Sequence, residues 1–227
     1  MKKIQLKGDV VSDRIGQLFD WFDLDSIYPN KLKQALDDSN GEDIEVTMTT
    51  NGGSVFAGQE IYDLIQSYNG KTTLKISGLV ASIGTLISCA FDEVLISPVG
   101  TFMIHNPTLG EVSGEKSDME KAAQLLETVE STLVRAYVAK TGLEQSELVE
   151  MMANETFMTA QETVDKGFAD GLITDETPTL SLVAGLNLNN LGFIQKLQQI
   201  KDNEEASLAE AKARLRLLSI QEEQHEN

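Results

Sequence analysis

The sequence predicts an α/β fold, and three features predict it. Over 44–49, Ile44, Val46 and Met48 alternate with polar residues. The Asn51-Gly52-Gly53-Ser54 turn then leads into helical apolar spacing at Ile61, Leu64, Ile65 and Tyr68. The same unit recurs over 72–90, where a strand at 72–76 meets a turn at Gly78 and an apolar helix beginning at Ser82. Short apolar runs at 94–96 and 101–104, separated by Pro98 and Gly100, supply further strands. Strand–turn–helix units in series close through right-handed crossovers onto a parallel sheet.

The remaining elements follow from similar patterns. Ile4-Gln5-Leu6 before Gly8 reads as a short strand. Ile15, Leu18, Phe19 and Phe22 fall at helical spacing, Pro29-Asn30 breaks the run, and apolar residues resume over 32–36. Past Gly110 a polar segment covers 111–118, and a long helix is expected over 119–140. Its apolar side carries Leu125, Leu126, Val129, Leu133 and Val134, and Gly142 is its stop. A short helix is expected over 147–153. Thr159, with Glu162 three residues on, reads as a capping box for a helix over 160–166. Asp170-Gly171 then turns into Leu172-Ile173. Beyond Pro178 the composition shifts, and Leu208, Ala211, Leu215 and Leu218 form a short two-heptad seam among charges. The expected division is therefore one domain over 1–177 and a helical, charged C-terminal extension over 178–227.

Composition narrows the function classes. Eighteen Lys and Arg against 36 Asp and Glu leave a net charge of −18 in 227 residues, which repels phosphate backbones, so no nucleic-acid partner is expected. No run approaches the roughly 18 apolar residues that a membrane span needs. The first nine residues lack the apolar core of a secretory signal. The single cysteine, Cys89, excludes an internal disulfide and suits a reducing, cytoplasmic setting. Two histidines, His105 and His225, are too few for a multi-histidine zinc site, so neither metal nor cofactor is expected.

Chemistry concentrates around three places. In Gly78-Leu79-Val80-Ala81-Ser82-Ile83-Gly84 a serine stands between a strand and an apolar helix. An isolated serine there is most often an N-cap, and Val80 departs from the G-x-S-x-G elbow. His105 ends the strand over 101–104 and precedes Asn106-Pro107, where catalytic groups of parallel sheets commonly sit. Beside a serine on the preceding unit it becomes a general base within plausible reach. The Gly52-Gly53 pair lets backbone approach another chain closely and aim N–H groups inward, although a plain turn is the simpler reading. Cys89 is a third candidate nucleophile, weakened by its apolar helical surroundings.

In order and spacing these blocks resemble the proteolytic subunit of the ATP-dependent Clp protease, above all its phage and prophage head-maturation relatives. The resemblance covers 42–174. It rests on Asn51-Gly52-Gly53-Ser54-Val55 with Gly58 and Ile61-Tyr62-Asp63, on the block from Gly78 to Gly84, and on Phe102-Met103-Ile104-His105-Asn106-Pro107. Phe157-Met158-Thr159-Ala160 and Gly167-Phe168-Ala169-Asp170 complete it. It implies a ClpP/crotonase-like α/β fold of repeated ββα units with a protruding handle helix, plus a helical tail. It also implies a serine endopeptidase with Ser82 as nucleophile, His105 as general base and Glu155 as the acid where the family usually has aspartate. Gly53 and Ile83 would form the oxyanion hole. Polypeptide substrates, among them capsid or scaffold precursors, and a homo-oligomeric ring in a bacterial host cytoplasm are implied as well. Thr50-Asn51 replaces the family's usual Ser-Pro, and the first strand begins almost at Met1, so dependence on an ATPase partner is not expected. A catalytically silent assembly protein on the same architecture is the alternative.

Overall fold

The computed structural model describes residues 1–110 and 112–174, so the expected extension over 178–227 lies outside the described residues. Strand β1 (Lys2–Lys7) opens the chain, and the two-residue strand β2 (Asp9–Val10) follows the Gly8 turn. Ile15, Leu18 and Phe19 lie on helix α1 (Asp13–Trp21). The spacing predicts that the break comes at Pro29. The chain instead turns at Asp23, whose φ is +55°, and forms strand β3 (Ser26–Ile27) in parallel with β2. Pro29 starts helix α2 (Pro29–Asp37), because its fixed φ suits the first helical position and no N–H is needed there.

The alternating run becomes strand β4 (Ile44–Thr50), with Ile44, Val46, Met48 and Thr50 buried. Helix α3 (Val55–Gln66) follows, N-capped by the Ser54 hydroxyl. Strand β5 (Thr72–Ala81) is longer than the sequence predicts. Gly78, expected as a turn, sits inside it at φ +83°, and the β4–β5 register shifts between Met48 and Thr50. An irregular glycine within a strand re-aims the chain without ending the ladder. Helix α4 (Ile83–Ser88), strand β6 (Glu93–Ile96) and strand β7 (Thr101–Ile104) come next. The first half of β5 pairs with β6 and its second half with β7, both in parallel. The end of β5 is thereby brought beside the end of β7.

Helix α5 (Lys116–Thr141) starts earlier than expected, because Glu115 and Asp118 form a reciprocal capping box. It ends at Gly142, whose φ of +72° is the left-handed cap. Helix α6 (Gln145–Ala153), strand β8 (Thr156–Thr159), helix α7 (Ala160–Asp165) and strand β9 (Gly171–Leu172) complete the described elements. The capping box of Thr159 and Glu162 is present at the start of α7. Strand β8 is an addition to the sequence reading and runs antiparallel to β7, with Ile104 opposite Thr156.

Among the described residues one sheet contains seven strands, ordered β1-β4-β5-β6-β9, with β7 and β8 continuing from β5. This is the mixed α/β architecture expected. Strand β1 is an edge and carries Lys2, Lys3 and Lys7. On one sheet face Lys75 of β5 pairs with Glu45 of β4 at 2.8 Å, and this hydrogen bond holds the Glu45 carboxyl below the usual carboxylate range. The core includes an aromatic chain in which Phe168 lies 5.2 Å from Phe102 of β7 and 5.5 Å, edge-on, from Tyr137 of α5. All three rings are fully buried. Truncating Phe168 to alanine is expected to cost about 3–5 kcal/mol, measured as a shift in the urea unfolding midpoint.

Candidate active site

Strand β5 ends at Ala81, and the next residue, Ser82, has φ +56° and ψ −129°. A non-glycine residue held there costs on the order of 1–3 kcal/mol, so the surroundings must impose it. Two anchors do so. The Ser82 N–H donates to the Met103 carbonyl of β7 at 2.9 Å. The Ser82 carbonyl accepts from the Thr85 N–H at 2.9 Å and from the Thr85 hydroxyl at 2.5 Å. Ser82 occupies the N-cap position of α4, yet its side chain makes no cap bond. Its Oγ is instead 2.6 Å from Nε2 of His105, which follows the last residue of β7. The capping alternative therefore does not describe this serine. The parallel pairing of β5 with β7 brings the two groups together at the strand ends.

The glycine pair lies against the same serine. A Cβ on Gly52, where φ is +102°, would fall 2.5 Å from the Ser82 Cβ and 3.0 Å from its Oγ. Only a residue without a side chain fits. Val10 of β2 brackets Gly53: its N–H donates to the Gly52 carbonyl at 2.8 Å and its carbonyl accepts from the Ser54 N–H at 2.7 Å. In such a parallel bridge Gly53 turns its own N–H away from β2. The buried Thr50 hydroxyl accepts from the Gly52 N–H at 3.0 Å, which fixes the loop from its other end. The Ile83 N–H, at the first position of α4, belongs to the orphan donors of a helix start. The Gly53 N–H is thus not taken up by β2, and the Ile83 N–H directly follows the serine in the chain. A groove of about 560 Å³, lined by Asp9 to Ser12, Ile15 and Asn51 to Ser54, borders the loop from the β2 side.

Glu155 lies between α6 and β8, at φ +48°, with an exposed side chain. The β7–β8 ladder ends with Ile104 opposite Thr156, so Glu155 adjoins one strand end and His105 the other. The structure records no hydrogen bond between its carboxylate and the imidazole. Ser82 and His105 are thus joined directly, and Glu155 only adjoins the end of the ladder that His105 follows. Cys89 is buried, its Sγ donates to the Thr85 carbonyl at 3.2 Å, and burial pushes its thiol up to about 12. A thiol so protonated is not a nucleophile near neutral pH.

Sequence reasoning missed Thr85 and Tyr137. The one available signal was a threonine three residues after the serine in an otherwise apolar helix.

Residues 26–176 match the family model described as Clp protease. Among curated proteins the chain is 30% identical over 136 residues to ATP-dependent Clp protease proteolytic subunit 1 of Chlamydia abortus, covering 59% of this chain and 71% of the relative. Its similarity to the protein of the same description from Protochlamydia amoebophila is 32% over 136 residues, covering 59% and 66%. For that of Chlamydia muridarum it is 28% over 138 residues, covering 60% and 72%.

Proposed function

The chain belongs to the Clp protease family, and on that premise we propose that it is a serine endopeptidase in which Ser82 and His105 carry out acyl transfer. The observation that supports this most is the 2.6 Å contact between Ser82 Oγ and His105 Nε2, made by a serine held in a strained backbone. Nε2 takes the Ser82 proton as Oγ attacks the peptide carbonyl. The oxyanion accepts from the N–H groups of Gly53 and Ile83. The tetrahedral adduct collapses, the imidazolium gives its proton to the leaving amine, and an ester to Ser82 remains. Water then attacks the ester while Nε2 takes its proton. The adduct collapses, the imidazolium returns that proton to the departing Ser82 Oγ, and the acid product leaves.

Glu155 is the proposed acid, supported by its place just before Thr156, which pairs with Ile104 beside His105. It would hold the imidazole tautomer that accepts at Nε2. Replacing it by glutamine is expected to lower kcat about 10²-fold with KM nearly unchanged. A kcat within twofold of wild type removes Glu155 from the mechanism and leaves a Ser–His pair.

The finer assignment is a ring homo-oligomer acting on capsid or scaffold polypeptides. It rests on the resemblance of the motif blocks to phage and prophage relatives. Sedimentation tests the ring, and cleavage of co-expressed capsid precursor tests the substrate. The parent activity is tested with a fluorophosphonate probe and a short fluorogenic peptide, with no ATPase added. An activated Ser82 is labelled, whereas a silent assembly protein is not.

A further inference from the structure

We propose that Tyr137 and Thr85 form a hydroxyl relay that positions the nucleophile and makes its geometry depend on helix α5. The relay rests on the peptidase reading above. Thr85 Oγ is 2.5 Å from the Ser82 carbonyl and 2.6 Å from the Tyr137 hydroxyl. A threonine hydroxyl has one proton. A carbonyl can only accept, so that proton goes to Ser82, and Tyr137 must be the donor to Thr85. The relay is therefore directional: Tyr137 O–H to Thr85 O–H to the Ser82 carbonyl.

The target of the relay is the residue that needs holding. The Ser82 N–H is fixed by β7 through Met103, and the Thr85 hydroxyl fixes the carbonyl on the other side of the same Cα. Loss of the hydroxyl leaves only the Thr85 N–H on that carbonyl, which loosens ψ of Ser82 and shifts Oγ relative to Nε2 of His105. Thr85 is fully buried and Tyr137 is 1% exposed, so no water replaces either hydroxyl. Helix α5 is tied to the other catalytic group as well. The Tyr137 ring packs edge-on against Phe168, which lies tilted against Phe102, three residues before His105. One side chain of α5 thus reaches the serine through its hydroxyl and the histidine's strand through its ring. A rotation or retreat of α5 at Tyr137 disturbs both.

The test uses the full chain and the variants Tyr137→Phe, Thr85→Val and Thr85→Ser. Each is assayed for kcat and KM on a fluorogenic peptide, for the rate of fluorophosphonate labelling and for thermal midpoint. Tyr137→Phe keeps the ring packing and removes only the donor. Tyr137→Phe and Thr85→Val are each expected to lower kcat and the labelling rate about tenfold, with KM within twofold. Thr85→Ser restores both rates to within about threefold, because it keeps the hydroxyl. The double variant Tyr137→Phe/Thr85→Val is no worse than Thr85→Val alone, since both act through one chain. Should Thr85→Val fail to fold, Tyr137→Phe decides alone. Labelling rates within twofold of wild type in the variants, even with lower midpoints, overturn the relay and leave the peptidase standing. A wild-type chain that is neither labelled nor active overturns the peptidase reading and the relay with it.

Discussion

Replacing Ser82 by alanine is expected to lower kcat for peptide hydrolysis by at least about 10³-fold while the chain stays folded. In the proposed mechanism the substitution removes the attacking atom and leaves the N–H groups of Gly53 and Ile83 to polarise a bound carbonyl. A small residual rate above water is therefore expected rather than zero. The fold is unaffected for a specific reason. The strained backbone at φ +56° is imposed by Met103 and Thr85 through main-chain groups that alanine retains. Glycine at the same position tests the strain directly, since it tolerates positive φ. Ser82→Gly is expected to be equally inactive yet more stable than Ser82→Ala by about 1 kcal/mol, read from urea unfolding. An alanine variant with more than a tenth of wild-type activity would remove Ser82 from the reaction.

The second large effect belongs to Gly52. Its alanine variant must place a Cβ 2.5 Å from the Ser82 Cβ at a φ of +102°. Neither contact partner is the free end of a flexible chain, so the loop or the serine must move. A loss of kcat of about 10²-fold is expected, with destabilisation of about 2 kcal/mol. Gly41→Ala is the matched control. Gly41 also has positive φ, +76°, but nothing lies within 4 Å of its added Cβ. That variant is expected to lose about 1 kcal/mol of stability with activity intact. If both variants lose stability and neither loses activity, the glycine loop does not shape the site.

Much of this arrangement was legible in the residues. The alternation at Ile44, Val46 and Met48 and the helical spacing after Ser54 gave the first unit, because burial on one face imposes periods that sequence preserves. Ser82 could be placed between a strand and an apolar helix, and His105 at the end of the strand over 101–104. Other features were opaque. Gly78 read as a turn because the sequence does not show that a strand continues through an irregular glycine when its neighbours shift register. Strand β8 is four residues long and runs into a helix cap at Thr159, too short for its period to register. That strand pairs Thr156, next to Glu155, with Ile104, next to His105, a relation that exists only in the sheet. Tyr137 was hidden for the same reason. It lies 52 residues from Thr85, and on a helical wheel its ring is indistinguishable from ordinary core.

The lysine-bearing rim of the sheet bears on what this protein does with its own clients. β1 has no further strand beside it among the described residues, so one row of its main-chain donors and acceptors is open to an extended peptide. Unfolded chain readily adds to such a border. A machine that handles loose polypeptide would then be clogged by what it is meant to cut. Lys2, Lys3 and Lys7, the last two paired with Glu45 and Asp25, place charge along that strand and discourage docking. Clients are thereby left to bind where the chemistry is.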